Sequence, residues 1–270
     1  WQNTDIKPEP TAEQIDFIFG QSWPLLGYRL RKDTAEWFNH IDTGSLPWLA
    51  DHKVEESVVF PAAGFTEMAL RAALRWTKGE TVELRDLDIL RPLVIEPSEI
   101  FETQVRISPD DHVVEIMSRP RLQDSDWSLN ARGHFVTVSN TGGTPWLKHS
   151  DTVLSTLEHD ELYEITRTFG LEYGPAFRRA EKVVTHDERT ATVYLKPQAD
   201  VLSGEELSLC PTLVDSGFHG LFALLRNVEG IPDKTSFLPI RIGSLRLLKA
   251  DTAPASVRIK VTKASPRSIE

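Results

Sequence analysis

The amino-acid sequence predicts an α+β fold in which two long helices are each wrapped by a curved antiparallel sheet. Apolar residues recur at helical spacing in two segments, and a proline precedes or opens each of them. Strand-like runs surround both segments, and the two halves share one order of elements. No repeat is visible at the level of residues, so this duplication rests on pattern alone. We predict one unit at residues 1–145 and a second at 146–270.

The first half is predicted to contain a polar leader, a hairpin, a helix and several strands. Residues 1–22 contain one short predicted helix at 12–19, and residues 28–31 and 36–41 flank the polar turn of the hairpin. A strand is predicted over Val54–Phe60, where Pro61 ends it. Phe65 to Trp76 then follow the spacing of a helix with one buried face. Further strands are predicted at residues 84–95, 101–107, 113–119 and 127–139.

The second half opens after the turn-rich segment 140–144, which predicts a linker. Residues 155–169 indicate a helix, with Ser155 and Glu158 spaced as a capping box. A strand is predicted at residues 189–196. Pro211 then opens the second long helix, whose predicted apolar face comprises Val214, Phe218, Leu221, Phe222 and Leu225. Strands return at residues 236–248 and 256–262.

Composition narrows the class of protein. The chain has 270 residues, is 40% hydrophobic and carries a formal charge of −10, which argues against nucleic-acid binding. Its apolar runs are too short to predict a membrane-spanning helix. Cys210 is the only cysteine, which excludes an intrachain disulfide and a cysteine-rich zinc site and fits a cytoplasmic setting. The start at Trp1 suggests a segment of a longer polypeptide, although a trimmed chain would look the same.

His52, Asp215 and Tyr173 are the candidate chemical residues. Imidazole suits proton abstraction near neutral pH, but a solvent-facing loop histidine would show the same local pattern as His52. Asp215 interrupts an apolar run, and His219 lies four residues on, on the same helical face. The alternative for this pair is a carboxylate that stabilises the start of its own helix. Tyr173, in a Tyr-Gly-Pro turn, could equally cap a core.

Six segments together resemble the dehydratase domains of polyketide synthases and animal-type fatty acid synthases, and they follow the family's order. Residues 48–61 are similar to HxxxGxxxxP with His52 as the histidine, and residues 211–219 are similar to HPxxxDxxxQ/H with Asp215 as the aspartate. The other four segments are 23–27 (the family's HPLLG), 63–70, 173–177 (YGPxF) and 238–239 (LP).

This resemblance implies a double hot-dog fold, in agreement with the two-helix prediction. It implies that His52 is the general base and Asp215 the general acid, facing each other across one tunnel. His219 would orient Asp215, and Tyr173 would help to hold the substrate hydroxyl. A buried carboxyl group has a raised pKa, which would suit an acid in an apolar tunnel.

The implied reaction is loss of water from a (3R)-hydroxyacyl chain, tethered by phosphopantetheine to an acyl carrier protein. No metal or redox cofactor is implied. The carrier protein and neighbouring synthase domains are the expected partners, and homodimers are common in the family. Four positions are assigned by resemblance to the tunnel or to the thioester: Glu56, Pro61, Gly64 and Pro175.

The chain departs from the family at several positions. Glu56 replaces the motif glycine, which would strain the backbone if φ there is positive. Trp23 and Cys210 replace histidines, and Ala62 follows Pro61 where glycine is frequent. A cyclase that forms an oxygen heterocycle, a double-bond isomerase and an inactive scaffold domain are the alternatives that use the same fold.

Overall fold

The computed structural model describes residues 23–31, 33–78, 81–138, 152–196, 207–226, 228, 235–248, 253–265 and 268–270. The predicted helix at 12–19 and the predicted linker at 140–144 lie outside these residues. The boundary between residues 145 and 146 lies outside them too and stays a prediction.

Helices occupy a small part of the described chain. A 3₁₀ turn spans Pro47–Asp51 and leads directly into the first catalytic candidate. The α-helices are α1 (Ala62–Trp76), α2 (His159–Thr168), α3 (Pro211–Phe218) and α4 (Gly220–Leu225).

The strands are mostly long in the first half and shorter in the second. They are β1 (Tyr28–Arg29), β2 (Glu36–Ile41), β3 (His52–Val54), β4 (Ser57–Val58), β5 (Val82–Ile89), β6 (Phe101–Ile107), β7 (Val113–Pro120), β8 (Ser128–Thr137), β9 (Ser155–Glu158), β10 (Leu171–Tyr173), β11 (Ala180–Thr185), β12 (Thr190–Leu195), β13 (Arg241–Arg246), β14 (Ser256–Lys260), β15 (Ala264–Ser265) and β16 (Ser268–Ile269).

A seven-stranded antiparallel sheet surrounds α1. Its order is β1-β2-β6-β7-β8-β5-β13, and α1 packs against β5, β6 and β7. The buried side chains of α1, among them Phe65, Met68 and Leu70, enter the same core as Trp37 and Phe135 of the sheet. The first predicted helix and the hairpin of β1 and β2 are thereby confirmed.

A second core lies between a four-stranded antiparallel sheet and the remaining helices. The sheet order is β14-β12-β11-β9, and α4 packs on β11 and β12. Leu162 of α2, Leu213 of α3 and Phe222 of α4 are buried in this core. Each half therefore buries helices against an antiparallel sheet, as the sequence predicts.

Two strand pairings join the halves in the described part of the chain. The three-stranded sheet β10-β3-β4 pairs a strand of the second half with a hairpin of the first, and places Tyr173 opposite His52. Strand β13 crosses from the second half to pair with β5 at the edge of the large sheet. The two units consequently share backbone hydrogen bonds.

The predicted single strand at residues 54–60 is wrong. The chain forms a tight hairpin there, with Lys53 opposite Val58 and Val54 opposite Ser57. Glu55 has a φ of 56°, a left-handed conformation that ends one strand and starts the next.

The predicted helix at residues 155–169 is wrong in its first turn. Ser155 to Glu158 form β9, because this segment pairs with β11 and buries Leu157 in the second core. The helix begins at His159, and its capping box consists of Glu158 and Glu161 rather than Ser155 and Glu158.

The second long helix is interrupted at its middle. It ends as α3 at Phe218 and restarts as α4 at Gly220. On the predicted apolar face Phe222 and Leu225 are buried, whereas Val214, Phe218 and Leu221 are only partly buried. A side chain at Gly220 would meet Val193 Cγ2 at 2.3 Å, so glycine allows α4 to lie close to β12.

The predicted strand at residues 84–95 ends earlier than expected. β5 stops at Ile89, and Pro92 cannot donate a backbone hydrogen bond to extend the ladder.

Candidate active site

His52 is held at the start of β3, directly after the 3₁₀ turn. Its side chain is buried, so the alternative of a solvent-facing loop residue is wrong. Nδ1 lies 2.7 Å from the carbonyl oxygen of Val59, which can only accept, so Nδ1 carries the proton in the neutral ring. The Phe177 ring packs at a centroid distance of 4.9 Å. The free lone pair of His52 therefore lies on Nε2.

Asp215 lies in α3, and its carboxylate faces His52 from the second half. Asp215 Oδ2 is 3.7 Å from His52 Nε2, and both side chains are more than nine-tenths buried, with exposures of 8% and 7%. His219 Nε2 donates a hydrogen bond to the same oxygen over 3.0 Å. The fold thus brings three sequence-predicted site residues into one cluster.

The charge state of Asp215 differs from the sequence-based expectation. Burial alone raises the pKa of Asp215, but the facing His52 and the hydrogen bond from His219 outweigh burial and hold the pKa below its usual range. The expectation of a raised pKa is therefore wrong for the substrate-free site. Burial also lowers the pKa of His219, although Asp215 partly offsets this effect. The resting pair is a carboxylate and a neutral imidazole that donates to it.

Tyr173 ends β10 and completes the ring of aromatic side chains around the pair. Its ring centroid lies 4.0 Å from that of His219 and 5.6 Å from that of His52. Burial, and then the negative charge of Asp215, raise the pKa of Tyr173 well above its usual value. Tyr173 thus remains a protonated phenol that can donate a hydrogen bond.

The turn after Tyr173 is fixed by Asp51. The Asp51 carboxylate accepts the backbone N–H of Ala176 over 2.8 Å, and its carbonyl accepts that of Gly174 over 2.8 Å. A side chain at Gly174 would collide with Asp51 Oδ1 at 2.2 Å, which explains the glycine of this motif. Pro175 is exposed at the turn.

The remaining positions assigned by resemblance are spread around the start of α1. Pro61 caps this helix, and Gly64 packs so closely on Phe60 that an added Cβ would lie 2.7 Å from the ring. Glu56 is exposed in the β3–β4 turn, and the positive φ expected there occurs at Glu55 instead. The contact of Glu56 with substrate stays a prediction.

Sequence reasoning missed Tyr163, which lies behind the cluster on α2. Its hydroxyl is 3.2 Å from His219 Nδ1 and 3.1 Å from the carbonyl oxygen of Phe177, and it accepts the Ala180 N–H over 3.1 Å. The available signal was a tyrosine on the apolar face of a predicted helix, since a buried phenol must find polar partners.

Among the described residues, no group of three or more His, Cys, Asp or Glu side chains is arranged to hold a metal ion. Within the same part of the chain, no helix is long and apolar enough to cross a membrane.

Family comparison covers both halves of the chain. Residues 23–119 match the model of the polyketide synthase dehydratase domain, and residues 142–270 match that of the polyketide synthase dehydratase N-terminal domain. The hybrid polyketide–nonribosomal peptide synthetase pyvA of Aspergillus violaceofuscus is 28% identical over 84% of this chain, which covers 7% of that protein. Polyketide synthase PksM of Bacillus subtilis is 29% identical over 78% of this chain, which covers 5% of that protein. The chain therefore spans less than a tenth of these relatives.

Solved structures share the fold. The dehydratase domain from the CurJ module of curacin polyketide synthase superposes with a TM-score of 0.76 at 24% identity, over 90% of this chain and 85% of that one. A mycocerosic acid synthase-like dehydratase domain gives 0.75 at 21% identity, over 92% and 89%. An inactive CurK dehydratase variant with an aspartate-to-asparagine change gives 0.67 at 21% identity, over 88% and 85%. The double hot-dog fold predicted from the sequence is thereby confirmed. With both halves matched by its family models, the chain belongs to the polyketide synthase dehydratases, hydro-lyase domains of polyketide assembly.

Proposed function

We propose that this domain removes water from a (3R)-hydroxyacyl thioester, with His52 as general base and Asp215 as general acid. The observation that carries the proposal is the approach of His52 Nε2 to Asp215 Oδ2, 3.7 Å apart and contributed by opposite halves of the fold. The inactive aspartate-to-asparagine variant of the CurK dehydratase supports a catalytic aspartate in a related domain.

His52 acts first on the α-carbon. The hydrogen bond from Nδ1 to Val59 leaves the lone pair on Nε2, which takes the α-proton as the carbon–hydrogen bond breaks. The thioester carbonyl gains negative charge in this step and needs donors to stabilise it. The first turn of α1, next to Pro61 and Gly64, supplies backbone N–H groups of the required kind.

Asp215 acts on the β-hydroxyl group. Asp215 is a carboxylate in the substrate-free site, where the protonated imidazole of His52 lowers its pKa. A substrate that enters between the two side chains separates them, and the proton passes from His52 to Asp215, which leaves His52 neutral as the base. Burial, the largest single influence on this group, then raises its pKa and favours the protonated form. The acid donates its proton as the carbon–oxygen bond breaks, water leaves and a carbon–carbon double bond forms. His52 afterwards returns the abstracted proton to Asp215.

Tyr173 and His219 support the acid. The protonated phenol of Tyr173 lies against both imidazole rings and is suited to hold the substrate hydroxyl. His219 keeps the reacting oxygen of Asp215 in place through its 3.0 Å hydrogen bond. This elimination moves protons and an electron pair within the substrate, so the reaction requires no redox cofactor.

The substrate carrier in this proposal is the phosphopantetheine arm of an acyl carrier protein. The relatives are large synthases in which this chain corresponds to one short segment. A carrier domain and neighbouring synthase domains are therefore the expected partners, a homodimer is the expected assembly, and the cytoplasm is the expected setting. The boundary between residues 145 and 146 is proposed as the junction of the two hot-dog units.

The test is turnover of a (3R)-hydroxyacyl pantetheine thioester, followed by mass spectrometry as loss of one water. We expect turnover by the unchanged domain and its loss in His52→Ala and in Asp215→Asn, with circular dichroism showing that both fold. His40→Ala on β2 and Asp110→Asn at an exposed position are the matched controls, and both should retain turnover.

A folded domain that dehydrates no thioester of several chain lengths would overturn the proposal. Retained turnover in either folded variant would remove that residue from the mechanism.

A further inference from the structure

Among the described residues, Tyr163 is the polar side chain outside the predicted set whose hydroxyl lies within hydrogen-bond distance of the catalytic cluster. It is buried on α2, and its hydroxyl lies 3.2 Å from His219 Nδ1, on the far side of the imidazole from Asp215. Its ring meets the His219 ring edge-on at a centroid distance of 5.6 Å. The order of contacts is therefore Tyr163, His219, Asp215, His52.

The donors and acceptors in this chain of contacts allow one consistent arrangement. The Asp215 carboxylate can only accept, so His219 must donate to it from Nε2. A neutral imidazole with its proton on Nε2 has a bare Nδ1, which requires a donor. The Tyr163 hydroxyl is the group within hydrogen-bond distance of Nδ1 that can supply one.

Competing demands on the Tyr163 proton are met by other groups. The carbonyl oxygen of Phe177, 3.1 Å from the phenol, also lies 2.7 Å from the Ser216 hydroxyl. That hydroxyl lies 2.7 Å from the Thr212 carbonyl as well, but Thr212 is four residues before Ser216 in α3 and can accept the Ser216 backbone N–H, so the hydroxyl can donate to Phe177. The Ala180 N–H donates to the phenol oxygen and so directs the Tyr163 proton elsewhere. Burial raises the pKa of Tyr163 above its usual value, which keeps that proton in place. In the described part of the chain, the other titratable or charged side chains against the phenol ring are His159, Tyr173 and Arg178.

We propose that Tyr163 is a positioning residue that donates to His219 Nδ1, fixes His219 as its Nε2–H tautomer and so keeps a donor aimed at Asp215. The catalytic consequence rests on the proposed function, whereas the tautomer itself does not. Without the phenol hydroxyl, Asp215 alone favours the proton on Nε2, and the Nδ1–H tautomer becomes more populated than in the unchanged domain. A bare Nε2 would then face the carboxylate and repel it.

The tautomer can be read directly from the ring nitrogens by ¹⁵N NMR of histidine-labelled domain, with His219→Gln used to assign the signals. In the unchanged domain we expect a protonated Nε2 and a bare Nδ1 at His219. In Tyr163→Phe, which keeps the ring, we expect a mixture of tautomers. We also expect kcat to fall roughly 3- to 10-fold, as loss of one neutral hydrogen bond implies, with KM within about twofold. Tyr194→Phe, at an exposed tyrosine of β12, is the matched control and should change neither quantity.

An unchanged domain whose His219 carries its proton on Nδ1 would overturn the proposal without any variant. So would a folded Tyr163→Phe that loses activity while the His219 tautomer stays the same, because that result assigns the phenol a purely structural role. If the tautomer changes as expected but the unchanged domain dehydrates nothing, the proton arrangement stands and the proposed function fails.

Discussion

At the scale of single residues, the site depends on whether each buried hydrogen-bond acceptor has a donor. The carboxylate of Asp215 has almost no contact with solvent, and its hydrogen-bond donor is His219. A buried charge without a donor is costly, so the identity of the residue at position 219 sets how well the acid is held.

Two substitutions at His219 test whether its role is to donate a hydrogen bond to Asp215. A glutamine can donate to Asp215 from its amide nitrogen and accept from Tyr163 with its oxygen, whereas a leucine can do neither. We expect His219→Leu to lower kcat by roughly 10- to 100-fold, and His219→Gln to retain clearly more activity than the leucine variant. Steady-state kinetics of both folded variants measure this. Equal losses in the two variants would show that donation to Asp215 is not the role of position 219.

At the scale of elements, the hairpin of β3 and β4 explains how the domain tolerates glutamate at a motif glycine. The left-handed residue of the turn is Glu55, with φ of 56°, whereas Glu56 is exposed and does not have a positive φ. The backbone strain that was expected at Glu56 is therefore located at Glu55 instead.

Matched glycine substitutions test this location of the strain. Glu55→Gly should raise the free energy of unfolding by about 0.5–1 kcal/mol, because glycine adopts the left-handed conformation without a steric penalty. Glu56→Gly should leave stability unchanged or lower it by up to about 1 kcal/mol, since it only adds freedom to the unfolded chain. Urea denaturation of the two variants gives both values. The reverse order would place the strained residue at position 56.

At the scale of the whole molecule, the two halves are joined by polar contacts as well as by strands. Glu67 of α1 is buried, and its two carboxylate oxygens accept the N–H groups of Ser208 and Leu209 over 2.9 and 2.7 Å. These residues lead into Cys210 and α3, the helix that carries Asp215. Strand β13 adds a second junction, where Glu83 of β5 accepts hydrogen bonds from Arg246.

Glu67 should make the stability of the domain depend on pH. Burial, partly offset by Arg71 and the two backbone donors, raises its pKa from 4.5 to about 7. The folded state then binds a proton more tightly than the unfolded state, so the contribution is greatest below about pH 4.5 and is lost as pH rises through 7. Between pH 5 and 8 this amounts to at most about 3 kcal/mol.

Glu67→Gln removes this titration and leaves one of the two N–H groups without its acceptor. We therefore expect a variant that is destabilised by about 1–3 kcal/mol at pH 5 and whose deficit shrinks toward pH 8. Urea denaturation at both pH values checks this, with Glu181→Gln, at an exposed position of β11, as control. A deficit that is constant with pH would contradict the titration of Glu67 in this range.

The sequence by itself determined the elements with strong local signals. Helix α1, strand β6 and the β1–β2 hairpin follow from apolar periodicity and turn residues, which act over a few neighbouring positions. The ordered motifs also indicated the family, which the match of both halves confirms. Asp215 could be selected as a candidate because it interrupts an apolar run, and His52 because residues 48–61 resemble the family motif.

Tertiary structure alone decided where β9 replaces a helical turn, where the second helix breaks, and that β13 crosses to the other half. These features depend on partners distant in sequence, whose packing overrides local preference. The charge state of Asp215 was also decided by tertiary structure. Burial alone would raise its pKa, and only the approach of His52 and His219 across the fold reverses that direction. The contact of Tyr163 with His219 was likewise decided by tertiary structure. The two residues are far apart in sequence, and only the packing of α2 brings the phenol within 3.2 Å of the imidazole.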